Sequence, residues 1–120
     1  MIKNLTTGTV VAGRVERCDT FWRRLRGLMF RRPLAEDQAL LFVLERESIA
    51  ATSIHMFFVF FDIGVIWLDA QQRVVDTTLA RPFRPYYAAQ APACYFIEGH
   101  PRALELVRVG DQLELEASPG

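Results

Sequence analysis

Ser53-Ile54-His55-Met56-Phe57-Phe58-Val59-Phe60-Phe61-Asp62-Ile63-Gly64-Val65-Ile66-Trp67-Leu68-Asp69 is the stretch on which the fold turns. Four of its residues are phenylalanine, and its only ionisable side chains are His55, Asp62 and Asp69. A run this apolar is expected to be buried on both faces and to mark the structural centre. Any polar group held inside it then needs a partner or a purpose. The apolar part, Ile54 to Leu68, is about 15 residues long, short of the roughly 20 that span a bilayer, and Asp62 and Gly64 interrupt it. Length and aromatic enrichment favour two strands over one helix: roughly Ile54 to Phe60, then Ile63 to Leu68, broken near Asp62.

Outward from this centre, Ala70-Gln71-Gln72 makes a turn, and Arg73 to Leu79 alternates as the returning strand of a hairpin. Arg81-Pro82-Phe83-Arg84-Pro85-Tyr86-Tyr87, with Pro92 beyond it, has too many missing backbone donors for a central strand and reads as a semi-rigid, aromatic and basic loop. Ala93 to Glu98 returns to strand. Pro101 opens a short helix through Leu104 and Val107, at a natural first-turn position for proline. Gly110-Asp111 turns the chain into a last strand, Gln112 to Glu116.

On the other side, Ala39 to Leu44 is a buried strand, and Glu45-Arg46-Glu47 a solvated loop after it. Thr9 to Ala12, with Val15, is a strand that follows a turn at Thr7-Gly8. Asp19 or Thr20 caps a short helix whose Phe21, Trp22, Leu25, Leu28 and Met29 share one face, with Arg23, Arg24 and Arg26 largely on the other; Pro33 ends it. No repeat or linker divides the chain. The expected fold is a mostly β (α+β) single domain over residues 1–120. It is a twisted antiparallel sheet that curls into a partial barrel, with two short helices.

Composition narrows the function. A 120-residue chain that is 51% hydrophobic fits one compact domain. Fourteen basic and fourteen acidic residues balance to zero net charge, which argues against nucleic acid as a partner. The basic residues are nearly all arginine, Lys3 being the only lysine. A coding bias explains this more simply than a set of bidentate anion grips. Cys18 and Cys94 stand far apart in no metal-binding spacing and are expected as free thiols in a reducing cytoplasm. No zinc motif is present, and no metal or cofactor is expected. Neither a signal peptide nor a membrane partner is expected either.

Several stretches together resemble one family, the bacterial and archaeal domain of unknown function 192. They are Arg23-Arg24-Leu25-Arg26-Gly27-Leu28-Met29 with Arg31, similar to an R-x-x-GLM-x-R block, and Ile54-His55-Met56-Phe57-Phe58-Val59, similar to I-H-x-F-F-M. After these come Ile63, Val65-Ile66-Trp67-Leu68-Asp69, Val74-Val75, the loop around Arg81-Pro82, the strand ending in Glu98, and Gly110-Asp111. The resemblance covers nearly the whole chain in order. It implies a small β-rich fold and brings no established activity with it. Two places depart from the pattern. An acidic residue is usual where this chain has Gly64, and the carboxylate is either shifted by two positions, to Asp62 on the same strand face, or absent from its usual place. Gly99-His100-Pro101 stands where a small, glycine-containing turn is usual.

The candidate catalytic residues are His55, Asp62 and Glu98. His55 suits a proton shuttle, general base or ligand, but a histidine satisfied by a neighbouring carbonyl or carboxylate is the plainer account and the one we favour. Asp62 either pairs with His55 or, more simply, caps a turn. Glu98 is either an acid with a raised pKa or the partner of an arginine. The candidate ligand-binding residues are Arg26, Arg31, His55 and Arg81. Arg26 and Arg31 suit an anion clamp, and equally a solvated face whose stems cover apolar surface. The Arg81–Tyr87 loop interleaves cations and rings, which suits base stacking or a peptide groove, but a rigid loop that packs its own rings against the sheet is the plainer account and the one we favour. Three functions follow. The first is a binding module for a small molecule or an extended peptide, as a monomer or weak dimer. The second is an acid–base enzyme using His55 with a carboxylate, and the third an accessory protein docking on a partner through the Arg81–Tyr87 loop.

Overall fold

In the computed structural model, which describes residues 1–18 and 32–117, eight strands and one short helix follow in chain order among the described residues, the first strand being one that the sequence reading does not anticipate. They are β1 (Ile2–Asn4), β2 (Thr9–Ala12), β3 (Arg14–Cys18), β4 (Gln38–Ser48), β5 (Ile63–Leu68), β6 (Val74–Ala80), β7 (Ala93–Gly99), a 3-10 helix (Pro101–Leu106) and β8 (Leu113–Leu115). The fold is mostly β. Its strands form two sheets, ordered β2-β1-β8 and β3-β4-β7-β5-β6, and no closed barrel forms among the described residues. Neighbours run antiparallel except β3 and β4, which pair in parallel. No helix among the described residues is long and apolar enough to cross a membrane.

Every residue of β5 is buried, because the strand lies between β7 and β6 and both of its faces are covered. Ile63, Val65 and Trp67 enter one core with Leu40, Phe42, Met56 and Phe96. Ile66 and Leu68 enter a second core with Ile2, Val11, Leu41, Ile97 and Leu113, where the small sheet and the 3-10 helix close the other face. Phe42 and Phe96 are directly opposed in the β4–β7 ladder and stack at 4.3 Å. Trp67 is fully buried, and its Nε1–H donates to the Thr52 carbonyl at 2.8 Å, so its one polar group is satisfied. A Cβ at Gly64 would meet Leu104 Cγ at 3.0 Å and the His100 carbonyl oxygen at 3.1 Å. The absent side chain lets the 3-10 helix lie on β5, and an acidic residue would find no space there.

Four expectations need correction. Ile54 to Phe60 is not a strand: it makes a single bridge, Ile54 to Tyr87, and turns at Phe57 and Phe58. Its backbone bonds to the Arg84–Tyr87 segment instead of a sheet, and only Ile54, Met56 and Val59 reach the core. Glu45, Arg46 and Glu47 do not leave the strand. They continue β4 as an exposed extension, past a break in the β7 ladder between Val43 and Ser48. The stretch Thr9 to Val15 is two strands in different sheets, divided at Gly13. The helix after Pro101 is a 3-10 helix that ends at Leu106, with Val107 already extended. The expected helix from Phe21 to Met29 lies outside the described residues, as do Arg26 and Arg31. The β5–β6 hairpin is present, and Cys18 and Cys94 are both buried thiols outside any disulfide.

Candidate functional site

Two loops form one surface. Ile54 and Tyr87 exchange backbone bonds, each at 2.9 Å, Met56 N–H donates to the Arg84 carbonyl at 2.8 Å, and Phe83 N–H donates to the Met56 carbonyl at 2.8 Å. The Tyr87 hydroxyl accepts the Arg81 N–H at 2.9 Å, which closes the second loop on itself. With Ile54, Met56 and Val59 turned into the core, the intervening rings face outward. Phe57 is 45% exposed, Phe58 46%, Phe60 60%, Phe83 47% and Tyr86 62%. Phe83 makes edge contacts with Phe60 at 5.2 Å and Phe58 at 6.3 Å, so these three rings form one cluster. Phe58 and Phe83 both have left-handed backbone, at φ of 60° and 63°. Bulky residues avoid that region, and the bonds between the loops hold them there.

His55 and Arg81 both belong to this joined pair of loops. The half-buried His55 ring tilts over Phe57 at 5.6 Å, and its Nδ1 accepts the Phe57 N–H at 3.2 Å. Neutral imidazole that accepts at Nδ1 carries its proton on Nε2, so the free edge is a donor. The bond to Phe57 orders the start of the turn, and its partner is a backbone N–H and not a carbonyl or carboxylate. No hydrogen bond joins His55 to Asp62 or Glu98. Arg81 and Arg84 are exposed at either side of Phe83 and make no ion pair with a described residue.

Asp62 and Glu98 belong to a different place, the end of the large sheet. A hollow of about 210 Å³ opens there between Leu34, Phe61, Asp62, Ile63, Gly99 and His100, with Pro33 and Pro101 at its sides. Asp62 is half-buried and its carboxylate caps no turn among the described residues. His100 caps the 3-10 helix: its Nδ1 accepts the Arg102 N–H at 3.1 Å. Glu98 lies opposite Val65 in one ladder and Leu40 in the other, is only 7% exposed, and pairs with no arginine among the described residues. Burial pushes its carboxyl up from 4.5 to about 7. In the sequence His100 stands out only as a break in the family pattern. Its signal was the spacing of two from Glu98, which puts both positions on one face of an extended chain. The exposed rings of Phe57, Phe58 and Phe60 were missed because an apolar run reads as core.

The family model for domain of unknown function 192, described as an uncharacterized ACR, matches residues 2–115. A UPF0127 protein of Thermococcus kodakarensis is 48% identical over 99 residues, covering 82% of this chain and 61% of its own. The chain thus spans about three fifths of that relative. A UPF0127 protein of Pyrococcus furiosus is 39% identical over 113 residues, 92% of this chain and 94% of its own. A crystal structure of a protein of unknown function from Novosphingobium aromaticivorans superposes with a TM-score of 0.76 at 22% identity, over 84% of this chain and 74% of that one, which is a likeness of fold. On the match to its model and these identities, the chain belongs to the domain of unknown function 192 family.

Proposed function

We propose that this protein is a single-domain binding module, a monomer or weak dimer, that holds a short extended peptide on the aromatic surface of the two joined loops. The observation that carries the reading is the set of five exposed rings on the two joined loops, Phe57, Phe58, Phe60, Phe83 and Tyr86, of which Phe58, Phe60 and Phe83 are in ring contact. Isolated apolar residues are common on protein surfaces, but a contiguous patch of rings marks an interaction site. Arg81 and Arg84 flank the rings with exposed cationic donors, which suits carboxylates alternating with apolar side chains. The bonds between the loops fix the surface before a partner arrives, which lowers the ordering cost of binding. Two unbridged cysteines support a reducing, cytoplasmic setting.

Acid–base catalysis finds less support. It would need His55 to share a proton with a carboxylate, and the His55 Nδ1 is bonded to the Phe57 backbone. The test is selection from a displayed library of random linear decapeptides, with enriched peptides synthesised and titrated against wild type, Phe60→Ala and Phe83→Ala. Peptides that combine acidic and apolar residues should be enriched and bind at least about tenfold more weakly to each variant. Failure to enrich, or equal binding to the variants, would overturn the proposal. Binding only by folded partner proteins would favour the accessory role instead.

A further inference from the structure

The second loop joins an apolar ring to two cations within four residues. Arg81-Pro82-Phe83-Arg84 is a turn in which the Arg84 N–H donates to the Arg81 carbonyl at 3.5 Å. Pro82 fixes a negative φ at its second position and Phe83 has a φ of 63° at its third, which makes it a type II turn. That third position normally takes glycine, because an L side chain is strained there. The chain thus keeps a ring where glycine would fit better. Phe83 is also the ring that touches both Phe58 and Phe60, and it is still 47% exposed. The two ends of such a turn lie within about 7 Å of each other, so Arg81 and Arg84 rise from neighbouring points at its foot. Both are exposed and make no ion pair with a described residue.

We propose that the peptide on this surface is held by its free C-terminus, with the terminal carboxylate between Arg81 and Arg84 and an apolar last side chain on Phe83. This mode of binding rests on the peptide reading and narrows it to one class of ligand. A last residue carries its side chain and its carboxylate on one Cα, so both groups fall within the span of a single four-residue turn. Inside an extended chain, an acidic side chain next to the apolar anchor points to the opposite face. The next one on the same face is about 7 Å away. A carboxylate met by two guanidinium groups receives charge-assisted bonds, and the planar fork of arginine suits it better than an ammonium would. A nucleic-acid backbone fits less well, since 14 acidic residues balance 14 basic ones over the chain.

The probe is a hexapeptide of glycine and serine that ends in leucine, labelled with fluorescein at its N-terminus and titrated with the full chain by fluorescence anisotropy. Its free acid is compared with its C-terminal amide and with a free acid ending in glycine. The leucine acid should bind at least about tenfold more tightly than either. Arg81→Gln and Arg84→Gln should each weaken the acid about fivefold or more and leave the amide unchanged. Phe83→Gly should weaken the acid about tenfold while melting no lower than wild type, because glycine suits the turn. An amide as tight as the acid, or undiminished affinity in any variant, would overturn C-terminal capture and leave the peptide reading to stand on the library selection. A Phe83→Gly variant that melts well below wild type would show that the ring serves the fold, and would overturn it too. If no form of the probe binds, C-terminal capture fails, and the library selection decides whether the peptide reading fails with it.

Discussion

Glu98 is the residue whose chemistry departs furthest from its sequence type. A carboxyl raised to about 7 by burial binds its proton more tightly in the folded chain than in the unfolded one, whose value is near 4.5. Between these values the folded state holds a proton that the unfolded state releases, so stability is greatest below the lower value and falls as pH rises through the upper. The loss from pH 4.5 to pH 8 is on the order of 3 kcal/mol. Glu98→Gln should remove most of this slope and be more stable than wild type at pH 8. Urea unfolding of both proteins at pH 5.5 and pH 8 checks this, and parallel pH dependences would count against it. Trp67 behaves as its sequence suggests. Its alternation with Ile63 and Val65 put it in a core, and Trp67→Ala should cost about 3–5 kcal/mol in the same assay. His55 was the sharper candidate on sequence, but whether a histidine meets a carboxylate depends on loop paths that its neighbours do not reveal.

The elements differ in how plainly residues announce them. β5 and β6 were legible because one is continuously apolar, the other alternates, and a short polar turn joins them. In that turn the Asp69 carboxylate accepts the Gln71 and Arg73 N–H groups at 2.9 and 3.0 Å, and Gln72 takes a left-handed φ of 62°. The Ile54–Phe60 segment misleads because apolar residues signal burial only when an element places them inside, and here a turn faces Phe57, Phe58 and Phe60 outward. The outer half of β4 misled in reverse, since charged residues stay extended where the strand runs past the core. Glycines carry a testable difference. Gly64→Ala would set a Cβ against Leu104 and the His100 backbone, and should cost about 1–3 kcal/mol by overpacking. Gly13 has nothing within 4 Å of a built Cβ, so Gly13→Ala should change stability by less than about 1 kcal/mol. Thermal melts of the two variants side by side check the placement of the 3-10 helix. Equal shifts would contradict it.

Across the whole molecule, local pattern revealed a β-rich chain with a doubly covered central strand, but not the division into two sheets or the order β3-β4-β7-β5-β6. Those depend on contacts between distant residues. Asn4 is one example: fully buried, it donates to the Asp111 carboxylate at 2.7 Å and the Leu106 carbonyl at 3.1 Å, and so ties the small sheet to the chain after the 3-10 helix. Nothing around Asn4 in the sequence marks it. The candidate sites were legible in part for the same reason. Arg81 and His55 could be named singly, but only the fold brings their loops together and separates them from Asp62 and Glu98. The claim that most needs testing is that the joined loops form the binding surface. Amide shifts across the ¹⁵N-labelled chain, mapped on titration with a selected peptide, test it most directly. The account predicts that the largest shifts fall within Phe57–Phe61 and Arg81–Tyr87. Largest shifts on the small sheet or along the β6 edge, with those two loops unmoved, would contradict it.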